Sequence, residues 1–554
     1  MKPKSWMYKR AAIHALYLGL SLLFATRFFS LLHPTAHAIT DGDPALNAWV
    51  LQWMSQALVH DPLHWSAGNT FYPYRHAIVL ADPLVPLAIL NVPVRWFTSN
   101  PWVGYNLLIV AAYYLSCVSG AALAAAVTGS RAAAVWGGIF WGFLFYRVHH
   151  IGHLQILSFQ WMPAAVACLL RFWQRPSVRT ALLFVLAFVA QALISWYLAV
   201  MTTVTVASVA LLRPRAETLR RPLLKYYVLI AAAIVLAIAP FAIPYRAGFD
   251  DSTLGDRKTL IDTFGDAVHL SDYLTPPLAT LAGSLIPGNT HDIWRENTLY
   301  IGFVPLALAA AGLLTGRRRW ALTGGALVVV GYVLALGYVS PSLGIRLPLH
   351  YAAHWLPFLA GLRATQRFSL VIYLGILVLS SLGLARLVGG LQPRARVAAT
   401  ACACALFLVE VFPLFLPFSA AHPYTPSMPD RFIAQYQKTR PAPLVVLHLP
   451  IHYFQDAYPT DEATYMLDST WHWAKILNGF SGGVPLGFLE RMQTLRTLPE
   501  PAAVALVREL GVDLIAVHGA SARAGNPLWD YFSQQEWTRV VKFPDEQFVV
   551  MVKR

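Results

Sequence analysis

Three groups of residues have the types and spacing for chemistry. Thr40-Asp41-Gly42-Asp43 sets two carboxylates one residue apart. Either one of them takes a proton from an acceptor hydroxyl, or the pair holds a divalent cation through oxygen ligands. As a bare pattern, Gly flanked by Asp is also an ordinary turn. Arg147-Val-His149-His150-Ile-Gly-His153-Leu-Gln155 brings three histidines into five residues. His150 and His153, three apart, can share a helix face and ligate a metal; the other reading is substrate positioning or a structural hydrogen bond. Arg363 and Arg367, four apart, suit bidentate binding of a phosphate, although outer arginines also snorkel toward headgroups. Glu296 and Tyr300 add a carboxylate and a phenol, and Glu410 interrupts an apolar run. An ionised carboxylate there must face a cavity or pair with a cation.

The elements that position these groups are membrane segments. The 554 residues are 57% hydrophobic and 12% charged, with a mean hydropathy of +0.51, far outside the range of soluble globular chains. Apolar runs near 11–30, 101–127, 131–147, 154–171, 180–194, 196–212, 224–244, 298–316, 320–339, 368–385 and 397–417 predict about eleven transmembrane helices. The pair of runs around Ser195-Trp196-Tyr197 is the weakest of these. Ala36-His37-Ala38 resembles a signal-peptide cleavage site, but the preceding apolar run, Ala11 to Ser30, is longer than the usual signal core and is expected to stay as an uncleaved helix.

The net charge of +15 invites a nucleic-acid reading that its distribution removes. Nineteen Lys and Arg, from Lys2 to Arg396, fall at alternate loops with Glu217 alone among them. This is the positive-inside pattern. It predicts a multi-pass membrane protein, N-terminus cytoplasmic, with membrane lipids rather than nucleic acid as its surroundings. Pro83 to Phe97 is apolar but short and holds three prolines; as a crossing it would place every later basic loop outside, so it is expected to be re-entrant or interfacial. Twelve crossings is the alternative. Cys117, Cys168, Cys402 and Cys404 all lie in apolar runs, which implies no disulfide framework.

Two domains follow. Residues 1–418 form the transmembrane domain, with long outer loops at 31–100 and 245–297. Residues 419–554 form an extracytoplasmic α/β domain, since apolar β-branched runs at 443–450, 512–519 and 546–554 read as strands and 500–510 as a helix between them. The first loop also contains LNAWVLQWMSQALV (46–59), with Trp49 and Trp53 one turn apart, which predicts an interfacial helix. On this topology Asp41, Asp43, Arg147, His149, His150, His153, Gln155, Glu296, Tyr300, Arg363, Arg367 and Glu410 share the outer face.

These features together resemble the GT-C superfamily of membrane glycosyltransferases. Asp41-Gly-Asp43 with Asn47-Ala-Trp49, Phe71-Tyr72-Pro73-Tyr74, His150-Ile-Gly-His153-Leu-Gln155, Glu296-Asn-Thr-Leu-Tyr300 and Arg363-Ala-Thr-Gln-Arg367-Phe368 are more closely similar to bacterial YfhO-like, glycosyltransferase-like membrane proteins, and Asn478-Gly479-Phe480-Ser481-Gly482 fits the same group. The resemblance implies transfer of a sugar from a polyprenyl-phosphate donor to an extracytoplasmic acceptor, with Asp41 or Asp43 as base and Glu296 as a further catalytic carboxylate. Arg147, His149, His150, His153, Gln155, Tyr300, Arg363, Arg367 and Glu410 would then contact substrate. A histidine cluster stands where metal-dependent members carry a second acidic motif, so two expectations remain open: no cofactor, or a divalent cation, Mg2+ or Mn2+, on Asp43, His150 and His153. The readings from other classes are a lipid or polysaccharide transporter and a non-catalytic envelope assembly partner.

Overall fold

The computed structural model describes residues 3–29, 36–37, 42–218, 221–255, 268–289, 291, 297–314, 317–340, 344–414, 422–453, 460–519, 527–545 and 547–553. Asp41 and Glu296 lie outside them. The chain divides into two compact units: Met1–Phe28, Leu107–Pro240 and Asp256–Phe418 form one, and Phe29–Asn106, Phe241–Gly255 and Ser419–Arg554 form the other.

The first unit is helical, and each apolar run there carries a helix. Pro3–Ala25, Pro101–Thr128, Arg131–Gly142, Trp161–Gln174, Val178–Ala192, Trp196–Leu211, Arg221–Asp250, Phe303–Leu313, Arg318–Ala335, Ser369–Gly389 and Pro393–Val411 follow one another in that order, the first few residues of Pro101–Thr128 and the last of Arg221–Asp250 falling in the other unit. Among the described residues, four helices are long and apolar enough to cross a membrane: Pro101–Thr128, Leu154–Gln174, Leu223–Asp250 and Thr365–Gly389. Their packing differs sharply, because 94% of the apolar stretch of Thr365–Gly389 is buried inside the protein against 6% for Leu223–Asp250. The first is the core of the bundle, whereas the second presents its apolar surface outward, as a helix solvated by lipid tails would.

Glycines allow that core to close. A Cβ on Gly312 would fall 2.0 Å from the carbonyl oxygen of Leu379, and one on Gly383 would fall 1.9 Å from that of Leu308. Helices Phe303–Leu313 and Ser369–Gly389 therefore touch backbone to backbone, the small-residue packing that bilayers favour where no hydrophobic drive separates protein from solvent. Gly324 and Gly375 do the same for Arg318–Ala335. Trp136 Nε1 adds a buried hydrogen bond to Ser380 Oγ at 2.9 Å.

The second unit holds a five-stranded sheet. Its strand order is Lys475–Ile476, Val445–Leu449, Leu514–Val517, Phe548–Val552 and Thr538–Lys542. The first three strands are parallel and the last two antiparallel. Val445–Leu449 is buried along its whole length, as expected of a central strand covered on both faces. The unit takes in more than the terminal segment: helix Gly42–His60 packs against Thr460–Asp468. Backbone bonds from Phe71 N–H to Asn478 O, from Tyr72 N–H to Ile476 O and from Ile476 N–H to Asn69 O, at 2.7–3.0 Å, lay residues 69–72 along the edge strand. Residues 85–95 form a helix of 11 residues, about 16 Å long and so about half the thickness of a bilayer core. Ile89, Leu90, Trp96 and Phe97 are exposed on it and just beyond its end.

Candidate functional site

In the first unit the site is organised around the N-terminal end of the core helix. The histidine segment is a chain of short turns, Tyr146–His149, His150–Gly152 and Leu154–Leu157. His149 and His150 are buried, with ring centroids 4.4 Å apart, and His153 follows 5.4 Å from His150. Tyr146 packs on His150 at 4.1 Å and on Tyr373 of the core helix at 5.6 Å. Tyr373 in turn donates its hydroxyl to Leu299 O at 2.8 Å. A continuous path of side chains thus joins the histidines to Tyr300, one residue further on. Gln155 is half-buried on the same segment.

Arg147 holds the histidine segment from within the fold. It is fully buried, donates through Nη1 to Leu157 O and through Nη2 to Ser116 Oγ, and lies 3.8 Å over the Phe159 ring. These partners fix the fold of the histidine segment, so the guanidinium positions the turn.

Glu410 is likewise explained by the fold. Its Oε1 accepts from Tyr300 OH at 2.6 Å and from Phe303 N–H at 2.5 Å, and its Oε2 accepts from Val304 N–H at 3.3 Å. The carboxylate closes the N-terminus of Phe303–Leu313, where unpaired amides and the helix dipole favour negative charge. Gly302, with φ +101°, makes this possible: a Cβ there would lie 3.1 Å from Glu410 Oε2. The acid in an apolar run and the phenol of Tyr300 form a helix cap.

Arg363 and Arg367 are brought together by a residue that sequence reasoning left aside. Tyr197, the second residue of Trp196–Leu211, accepts from Arg363 N–H at 2.9 Å, while its ring lies 5.0 Å beneath the Arg367 guanidinium. Both arginines are half-buried. Immediately before them in the chain, Tyr351, Trp355 and Phe358 are exposed. Two arginines four residues apart, one of them stacked on Tyr197, and the exposed aromatics that precede them in the chain suit an amphipathic anion whose apolar part lies in the interface.

Asp43 belongs to the second unit, half-buried in the first turn of Gly42–His60, where an acidic side chain matches the helix dipole. Asp272 caps Leu270–Leu274 by accepting from His269 N–H at 2.7 Å. Among the described residues, the three metal-ligating side chains that do lie within 4.8 Å of one another are not Asp43, His150 and His153 but Asp430, His448 and His472. No motif spacing marks them; a histidine inside the apolar strand run PLVVLHLP was the one available signal.

The profile of a domain of unknown function, DUF6311, matches residues 16–411. The chain belongs to this family. No curated protein matches it. Among solved structures, this DUF6311 chain is similar to the arabinofuranosyltransferase AftD from Mycobacteria, at 13% identity and a TM-score of 0.58, with 98% of this chain and 40% of that one covered. A second structure, of an AftD mutant, gives 14% identity and the same TM-score, covering 98% and 41%. An oligosaccharyltransferase from Archaeoglobus fulgidus is also similar, at 11% identity and a TM-score of 0.43, over 91% of this chain and 68% of that one. The DUF6311 chain thus has the fold of a membrane arabinofuranosyltransferase and spans about two-fifths of that enzyme's length.

Proposed function

We propose that the protein is a membrane glycosyltransferase that moves a sugar from a polyprenyl-phosphate donor to an extracytoplasmic acceptor for the cell envelope. The observation that carries this reading is the Arg363–Tyr197–Arg367 arrangement, with the exposed aromatics that precede it in the chain, in a chain 98% of which aligns with an arabinofuranosyltransferase fold. The arginines would take the donor phosphate, and Tyr351, Trp355 and Phe358 would lie at the lipid interface beside it.

In the reaction, Asp41 or Asp43 accepts the proton of an acceptor hydroxyl, and the oxygen attacks the anomeric carbon. The carbon–oxygen bond to phosphate breaks, and polyprenyl phosphate leaves with its charge met by Arg363 and Arg367. A single displacement inverts the anomeric centre. His149, His150, His153 and Gln155 would line the sugar position. The outer-face orientation of the reaction, with about eleven crossings in a bacterial inner membrane, rests on the positive-inside distribution of Lys and Arg.

The test is turnover by purified protein in nanodiscs offered a panel of polyprenyl-phosphate sugars. One of them should be consumed with release of polyprenyl phosphate, and Asp41→Asn or Asp43→Asn should abolish this. Full activity in both Asp variants sinks the assignment. So does failure to bind any donor of the panel by protein that is monodisperse.

A further inference from the structure

The second unit contains a buried constellation that sugar transfer does not use. Asp430 lies in the first turn of Met428–Gln437, His448 in the central strand Val445–Leu449, and His472 just after the turn Ser469–Trp471. All three are buried. Each turns one ligand atom toward the others, within 4.8 Å, and Asp430 Oδ1 and His472 Nε2 are 3.5 Å apart. Asp430 Oδ1, His448 Nε2 and His472 Nε2 are shielded from solvent and make no hydrogen bond. Leaving three such atoms unsatisfied at one point is costly unless something occupies the space between them.

The chain runs from Val445–Leu449 to Lys475–Ile476 on one side and returns to Leu514–Val517 on the other, all parallel. His448 sits near the carboxyl end of its strand, and His518 directly follows the neighbouring one.

We propose that Asp430, His448 and His472 bind a divalent transition-metal ion of the zinc class. Two imidazoles and one carboxylate oxygen suit zinc and disfavour Ca2+ or Mg2+, which select all-oxygen sets. Bonds of about 2.1 Å in a tetrahedron put neighbouring ligand atoms about 3.4 Å apart, so the 3.5 Å separation of Asp430 Oδ1 and His472 Nε2 already matches one edge.

The surrounding groups orient the ligands. His448 Nδ1 meets His518 Nε2 at 2.9 Å; with the proton on Nδ1 and donated to His518, His448 Nε2 offers its lone pair to the ion. Ser427 Oγ donates to Asp430 Oδ2, which leaves Oδ1 for the centre. His472 Nδ1 accepts from Ala474 N–H at 3.0 Å, so in the empty site the ring proton sits on Nε2, facing Asp430. For Nε2 to ligate as a neutral imidazole, the ring proton moves to Nδ1 and the Ala474 N–H contact is given up as the metal–nitrogen bond forms. Donor chemistry leaves a fourth position for water or a further ligand.

The experiment uses tag-free, full-length protein in detergent, stripped with EDTA and titrated with Zn2+ and with Co2+ as a spectroscopic probe. We expect one equivalent of tightly held Zn2+, a rise in melting temperature on loading, and visible Co2+ bands typical of four-coordinate nitrogen and oxygen ligation. Asp430→Asn and His472→Gln should each weaken Zn2+ at least a hundredfold, whereas His64→Ala, at an exposed histidine, should change nothing. Stripped wild-type protein that remains folded and takes up no Zn2+ or Co2+ overturns the proposal, and the pocket is then an Asp430–His472 pair sharing a proton. Wild-type affinity in both ligand variants overturns it equally. Neither result bears on the glycosyltransferase reading, which uses other residues.

Discussion

The ring of Phe71 occupies the space in which a side chain on Gly479 would have to sit: a Cβ at Gly479 falls 2.5 Å from the ring carbons. Phe71 also donates its backbone N–H to Asn478 O at 2.9 Å and packs on Phe488 at 4.9 Å. Two short motifs from opposite ends of the chain are therefore one packing unit, which ties the first loop to the terminal sheet. Gly479→Ala should destabilise the second unit by about 1–3 kcal/mol, the usual cost of overpacking. Thermal unfolding in detergent measures this, and Phe71→Leu in the same chain should return part of the loss. Additive losses in the double variant would show that the two residues do not compete for space.

The Glu410 cap carries its own test. Glu410→Ala removes the acceptor of Phe303 N–H, Val304 N–H and Tyr300 OH together, and should cost about 1–2 kcal/mol. Glu410→Gln keeps one carbonyl oxygen and should cost less. Gly302→Ala, at φ +101° and pressed on Glu410 Oε2, should be at least as damaging as Glu410→Ala. Melting temperatures of the three variants rank them.

Arg147 and Arg367 should separate by readout. Arg147→Lys loses the two-pronged grip on Leu157 O and Ser116 Oγ and should lower stability by about 2 kcal/mol or more, since hydrogen bonds to buried charge are strong. Arg367→Ala leaves the fold intact and, on the proposed function, raises KM for the lipid donor. Equal melting temperatures for Arg147→Lys and the wild type would remove the positioning role.

Glu462 sets a pH dependence. Burial pushes its carboxyl up to about 7 from 4.5, although His452 N–H and Asn478 Nδ2 both donate to it. Between those values the folded protein keeps a proton that the unfolded chain releases, so the group's contribution is complete below about pH 4.5 and is lost as pH rises through about 7. The loss is roughly 3 kcal/mol. Glu462→Gln should flatten the fall, seen as a difference between the two curves of stability against pH. Parallel curves from pH 5 to 8 would refute it.

What could be read from the sequence is what neighbours along the chain determine. Apolar runs located the helices of the first unit, because burial of one helix face or a lipid-facing surface is written in consecutive residues. The runs at 443–450, 512–519 and 546–554 each hold an observed strand, whereas Thr538–Lys542 was missed: only its first residue is buried, so it lacks a continuous apolar signature. The histidine segment and the paired arginines stood out by composition, yet their partners did not. Tyr197 beneath Arg367, Glu410 on the amides of residues 303–304, and Phe71 against Gly479 all join residues far apart in sequence.

Asp430, His448 and His472 mark the boundary most plainly. Nothing in their spacing predicts a common centre; the fold of the second unit brings His448 beside Asp430 and His472. Periodicity, hydropathy and charge are local quantities, so the sequence by itself determined that this is a polytopic chain and where its helices run. Ligand distances and helix caps depend on which strand lies beside which and on which backbones can touch. Long-range packing alone decides those, and so the tertiary structure turned an acid in an apolar run into a cap and three scattered residues into a site.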